Sequence, residues 1–117
     1  MAYALLIIEP VGQRRTRTES EGRALYDSMV RFGADLKSRG LLTISQSLKT
    51  DASTARVHVR DHQPIVVDGP FAESKEVVGG FFLLTCETRE QAIAIAGECP
   101  AAQWATVEVR EFGPCFE

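Results

Sequence analysis

The sequence predicts one α+β domain in the order strand, helix, strand, hairpin, strand, helix, strand. Three observations carry this. Residues 2–8 and 80–87 are apolar at both alternating sets, as in strands covered on both faces. Thr18 with Glu21 and Thr88 with Gln91 each form a capping-box pattern ahead of apolar residues at helical spacing. Between these segments, residues 56–60 alternate strictly in polarity.

The chain has 117 residues, enough for one core and too few for two domains. Hydrophobic residues make up 44% and charged residues 25%, which is globular composition. A net charge of −3 argues against non-specific binding to nucleic acid or to a membrane surface, since both need positive charge. The cysteines Cys86, Cys99 and Cys115 are odd in number and form no close-spaced motif, so they read as free thiols in a reducing, cytoplasmic compartment. The apolar run at 2–8 has no basic segment before it and meets Glu9 too soon for a signal peptide or a membrane span.

The first strand, 2–8, ends at Pro10 and Gly12. Residues 13–17 then form a basic loop. Arg14 and Arg15 either are simply solvated there or make an anion-attracting rim above a pocket. The first helix opens at Thr18, and Leu25, Met29, Phe32 and Leu36 make one apolar stripe before Gly40 stops it. Met29 can line a ligand site, though residues at this spacing more often form core.

Residues 41–48 follow as a strand with Leu42, Ile44 and Gln46 on one face, and 49–54 as a polar loop. Residues 56–60 and 65–67 pair as a hairpin around the turn at 61–63. His62 falls in that turn. His58 shares a strand face with Arg56 and Arg60, either as an exposed sheet residue or as an acid/base group facing a cleft. No Cys or carboxylate joins the histidines at ligand spacing, so no metal site and no cofactor are predicted.

Asp68 ends the hairpin, and Gly69-Pro70 breaks regular structure after it. Asp68 either accepts backbone hydrogen bonds in a turn or serves as a general base or ligand acceptor. In the second case Lys75 or an arginine of 13–17 holds an acid group of the substrate, and Phe71 and Phe81 form an apolar wall. Gly79-Gly80 leads into a strand rather than a helix, so it is no phosphate loop. The strand at 80–87 precedes a second helix with the stripe Ala92, Ile95, Ala96, Cys99, ended by Pro100. Residues 104–112 form the last strand, with Val107 and Val109 opposite Glu108 and Arg110, and 113–117 a tail.

Without the hairpin the order is βαββαβ, the ferredoxin-like arrangement. Two helices cover one face of an antiparallel sheet, and the apolar residues on the other face predict a homodimer packed sheet to sheet.

The run 68–76, Asp-Gly-Pro-Phe-Ala-Glu-Ser-Lys-Glu, resembles the signature of the DGPF-domain proteins within the YCII-related family. Similarity extends to residues 3–7, 57–61, 79–83, 99–102 and 107–110, so it covers nearly the whole chain. The resemblance implies a dimeric α+β barrel. Most DGPF-type proteins have no assigned activity, and some are encoded beside sigma factors. YCII-related relatives include a dehydrochlorinase and are thought to use a His–Asp pair in a cleft. Asp68 falls at or near the acidic position. The histidine of those relatives lies on the first helix, where this chain has Met29 and no histidine, so the pair is incomplete here. Only His58 can substitute, if its strand face points into the cleft.

Two functions follow. One is a dimeric barrel that binds or converts a compact organic molecule near 68–71, with Gly69 and Pro70 shaping the site. As an enzyme it would be a lyase of dehydrochlorinase type or an isomerase. The other is a non-enzymatic regulatory or interaction module, linked to a sigma factor.

Overall fold

A computed structural model describes residues 2–116. The order is β1 (Tyr3–Pro10), α1 (Glu19–Ser38), β2 (Leu42–Ser47), β3 (Ala55–Arg60), β4 (Gln63–Asp68), β5 (Glu76–Leu84), α2 (Arg89–Glu98) and β6 (Thr106–Glu111). Short 3-10 turns occupy Gln13–Thr16, Asp51–Ser53 and Pro100–Gln103. β2, β5, β1 and β6 form one antiparallel sheet in that order, and β3 pairs only with β4. With the hairpin set aside this is the ferredoxin-like arrangement, an α+β fold. No helix among the described residues is long and apolar enough to cross a membrane.

The two-residue period of β1 sorts its side chains. Tyr3, Leu5, Ile7 and Glu9 are buried under the helices, while Ala4, Leu6 and Ile8 are half-buried on the opposite face. β5 repeats this, with Phe82 and Leu84 inward and Phe81 and Leu83 outward. Phe32 meets Phe82 edge to face, with ring centroids 5.2 Å apart. Leu36 of α1 and Ala92, Ile95 and Ala96 of α2 complete the core with Cys86 and Cys99.

Both helix starts carry a Thr cap, but they differ. Thr18 Oγ1 accepts from the Glu21 N–H, and Glu21 Oε1 accepts from the Thr18 N–H, closing the box. Thr88 Oγ1 accepts from the Gln91 N–H, whereas Gln91 Oε1 accepts from the N–H of Glu87 rather than of Thr88. Gly40 follows α1 with a φ of 72°.

Four expectations need correction. The basic segment 13–17 is not an open loop but a 3-10 turn, whose Gln13 Nε2 donates to the Trp104 carbonyl. β5 begins at Glu76, because its first residues pair with Pro10 and Glu9 at the end of β1. A register shift between Leu42 and Ile44 places Leu42 opposite buried Leu84 and Ile44 opposite outward Leu83, so the two lie on opposite faces. The segment 49–54 holds the turn Asp51–Ser53 and a buried carboxylate, Asp51.

The hairpin turns through Asp61 and His62, both left-handed with φ of 52° and 65°, as a two-residue primed turn requires. Every residue of β3 and β4 is exposed. Phe116 in the tail is exposed too, and Glu117 lies outside the described residues.

Candidate functional site

Along the α1 stripe, burial rises toward the C-terminal end. Leu25 and Met29 are half-buried, while Phe32, Gly33 and Leu36 are buried. Beside the less buried half lies a cavity of about 810 Å³ between α1 and the inner face of the sheet. Leu25, Met29, Leu42, Phe82 and Trp104 supply apolar wall, and Ser45 of β2, opposite inward Phe82, supplies a polar side chain.

Its charged wall comes from the end of β1, from the 3-10 turn after it, and from Glu19 and Lys37 of α1. Glu9 continues the core-facing row of β1 and is only 6% exposed. Gly12, at a φ of 85°, turns the chain so that Arg14 comes back over Glu9. Arg14 Nη2 lies 2.8 Å from Glu9 Oε1 and donates to the Gly79 carbonyl at 3.0 Å, and Nη1 donates to the Leu48 carbonyl at 2.6 Å. The guanidinium is thereby fixed by three acceptors on three segments of chain. A Cβ on Gly79 would lie 2.5 Å from Glu9 Oε1 and 2.8 Å from Arg14 Nη2, so glycine is required for the pair to sit against β5. Arg17 reaches the same cavity, its guanidinium carbon 6.0 Å from the centre of the Trp104 ring.

Of the residues singled out in the sequence, Arg14 and Met29 line this cavity and Arg15 is exposed beside it. Phe81 faces outward from β5. His58 sits on the exposed hairpin with Arg56 and Arg60, opposite Ile65, so that face is less polar than β3 alone indicates. Asp68 is exposed at the end of β4, and Lys75 is exposed beyond it.

The loop after Asp68 is organised by a different carboxylate. Asp51 Oδ2 accepts the Phe71 N–H at 3.3 Å, and the Thr54 carbonyl accepts the Gly69 N–H at 2.6 Å. A Cβ on Gly69 would overlap the Asp51 carbonyl oxygen, so only glycine allows this approach. The Gly69-Pro70 peptide bond is cis, and Pro70 is exposed. Phe71 is buried beneath Arg56, whose guanidinium carbon lies 3.8 Å from the ring centre, and Arg56 Nη2 donates to Ser74 Oγ. No described backbone amide donates to the Asp68 carboxylate. The turn-acceptor role expected of Asp68 belongs to Asp51.

The model of the YCII-related domain matches residues 1–114. The chain belongs to the YCII-related family. An uncharacterized protein of Rhizobium meliloti (strain 1021) is 41% identical over 108 residues, covering 91% of this chain and 86% of that protein. Family membership agrees with the α+β fold. The α1–sheet cavity of this YCII-related chain carries Met29, not histidine, on its helix wall, and its buried carboxylate is Glu9 on β1.

Two site residues escaped the sequence reading. Glu9 was legible in principle, since continuing the odd-numbered row of β1 puts a carboxylate among core positions. Trp104 carried no signal, because its place in the wall depends on the 3-10 turn Pro100–Gln103 packing beside α1.

Proposed function

We propose that the chain binds a compact organic molecule in the cavity between α1 and the sheet, as a homodimer packed through the outward sheet faces. The observation that carries the binding reading is a cavity of about 810 Å³, in the size range of small-molecule sites, with apolar walls and an ion pair between buried Glu9 and half-buried Arg14. The dimer is supported by the outward row of Ala4, Leu6, Ile8, Phe81 and Leu83, half-buried apolar residues on the side of the sheet away from the helices.

Trp104 is the only tryptophan and lines the cavity, which provides the test. Aromatic probes of one-ring size should shift the Trp104 indole N–H signal, and Met29→Phe, which reshapes the α1 wall without adding a second indole, should change the affinity read from that shift. An unchanged indole signal at millimolar probe overturns the reading.

A second reading, an interaction module, is favoured by the hairpin, where Val57 and Val66 pair across one face and are 63% and 61% exposed. The double variant Val57→Lys, Val66→Lys separates the two. A fall in particle size assigns this face to the dimer. Unchanged size and probe binding leave it for a different protein.

A further inference from the structure

Resting on the reading of the cavity as a ligand site, we propose that Glu9 is its recognition group and that the ligand is a neutral molecule presenting an O–H or N–H donor. Glu9 is more than nine-tenths buried and lines the cavity. An ionised carboxylate offers acceptor sites on both oxygens. Oε1 faces Arg14, whereas Oε2 has no hydrogen-bond partner among the described residues. Gln13 Oε1, and not Glu9 Oε2, is the side-chain atom left both fully buried and unpaired among the described residues, so Oε2 is open to the cavity, and a ligand donor entering there can reach it and replace its hydration.

The surrounding charges select the kind of donor. Glu9 and Arg14 are in contact and cancel, and the other charged residues of the lining, Arg17, Glu19 and Lys37, carry both signs. An ammonium at Oε2 would approach the Arg14 guanidinium, which lies 2.8 Å from the other oxygen of the same carboxylate. A ligand carboxylate at the same oxygen would meet the like charge of Glu9 directly. A neutral hydroxyl or amide avoids both repulsions and still makes a charge-assisted bond. Arg14 cannot swing away to serve an anion without releasing the Leu48 and Gly79 carbonyls that hold it. The apolar wall of Leu25, Met29 and Phe82 suits the remainder of a small, largely apolar molecule.

The test titrates the full chain with four one-ring probes, phenol, anisole, benzylamine and benzoate, following the Trp104 indole N–H by NMR. Phenol should bind about tenfold more tightly than anisole, the difference expected of one hydrogen bond to a charged acceptor. It should also bind more tightly than the ammonium and carboxylate probes. In Glu9→Gln the preference for phenol over anisole should shrink several-fold, with the fold checked by thermal melting. Equal binding of phenol and anisole, tightest binding of either charged probe, or an unchanged preference in Glu9→Gln each overturns the proposal. If Glu9→Gln does not fold, the wild-type comparison of phenol with anisole decides. Equal shifts from all four probes leave the cavity as a ligand site and remove only the role of Glu9. No shift from any probe removes both.

Discussion

Glu9 and Asp51 are the two carboxylates buried among the described residues, and they do different work. Asp51 is 3% exposed and holds the Phe71 amide, so it anchors the Gly-Pro-Phe loop to the segment before the hairpin. Asp51→Ala leaves that amide buried without an acceptor and should cost about 1–3 kcal/mol of stability in urea unfolding. Asp51→Asn retains an acceptor oxygen and should cost less. Gly79→Ala acts on the other carboxylate. Its methyl group meets side-chain atoms of Glu9 and Arg14 rather than backbone, so the pair must loosen its hold on the Leu48 and Gly79 carbonyls, and the change should cost about 1–3 kcal/mol. Probe binding at Trp104 should fall more than stability does. The thiols also separate at this scale. Burial pushes Cys86 and Cys99 above the ordinary thiol range, while Cys115 is exposed. A thiol reagent near neutral pH should therefore modify one cysteine quickly in the native protein and the other two only in denaturant. Asp68 shows why the sequence misleads here. Asp before Gly is a turn signal, but the amide it was expected to accept is taken by a carboxylate seventeen positions earlier, a pairing made only by tertiary structure.

Elements were the most legible level, because they depend on local periodicity. The Phe32 and Leu36 stripe, the Thr caps, the first strand with apolar residues on both faces and the alternation of β6 are all present where the pattern placed them. The misplaced start of β5 and the bulge in β2 both come from strand pairing, which no local pattern encodes. The α1 cap makes a testable element. Thr18→Ala should cost about 1 kcal/mol by leaving the Glu21 amide uncapped. Glu21 itself adds a pH dependence. The backbone N–H of Thr18, and next its side chain, lower the Glu21 pKa below the ordinary value of 4.5. A carboxyl lowered in the folded state contributes stability that is fully present above its unfolded pKa and is lost as pH falls through the folded one. Acidification from pH 5 downward should therefore increase hydrogen exchange in the first turn of α1 before the C-terminal turn responds. Glu21→Gln should remove that difference.

At the scale of the molecule, the extents of 47 × 42 × 19 Å describe a thin body with helices on one side of the sheet only. An antiparallel sheet can present one face to water when that face is polar. Here β6 does so with Thr106, Glu108 and Arg110, but β1 and β5 in the centre present Leu6, Ile8, Phe81 and Leu83. A central apolar strip with a polar edge is the anatomy of an interface. Both copies carry the same strip, so a two-fold pairing satisfies each with the other. Leu6 tests this, because its register partners are Phe81 on one side and Glu108 on the other. In a free protomer Leu6→Lys can extend its ammonium toward water and Glu108, so the fold should survive. In the proposed dimer the same ammonium lies in the apolar centre, where an unpaired charge is costly. Sedimentation at micromolar concentration should give a dimer for the wild type and a monomer for Leu6→Lys, with equal thermal unfolding of α1 and the core by near-UV circular dichroism once concentration is accounted for. A wild type that sediments as a monomer, or a Leu6→Lys variant that remains dimeric, removes the sheet-to-sheet arrangement and leaves the outward strip to another partner.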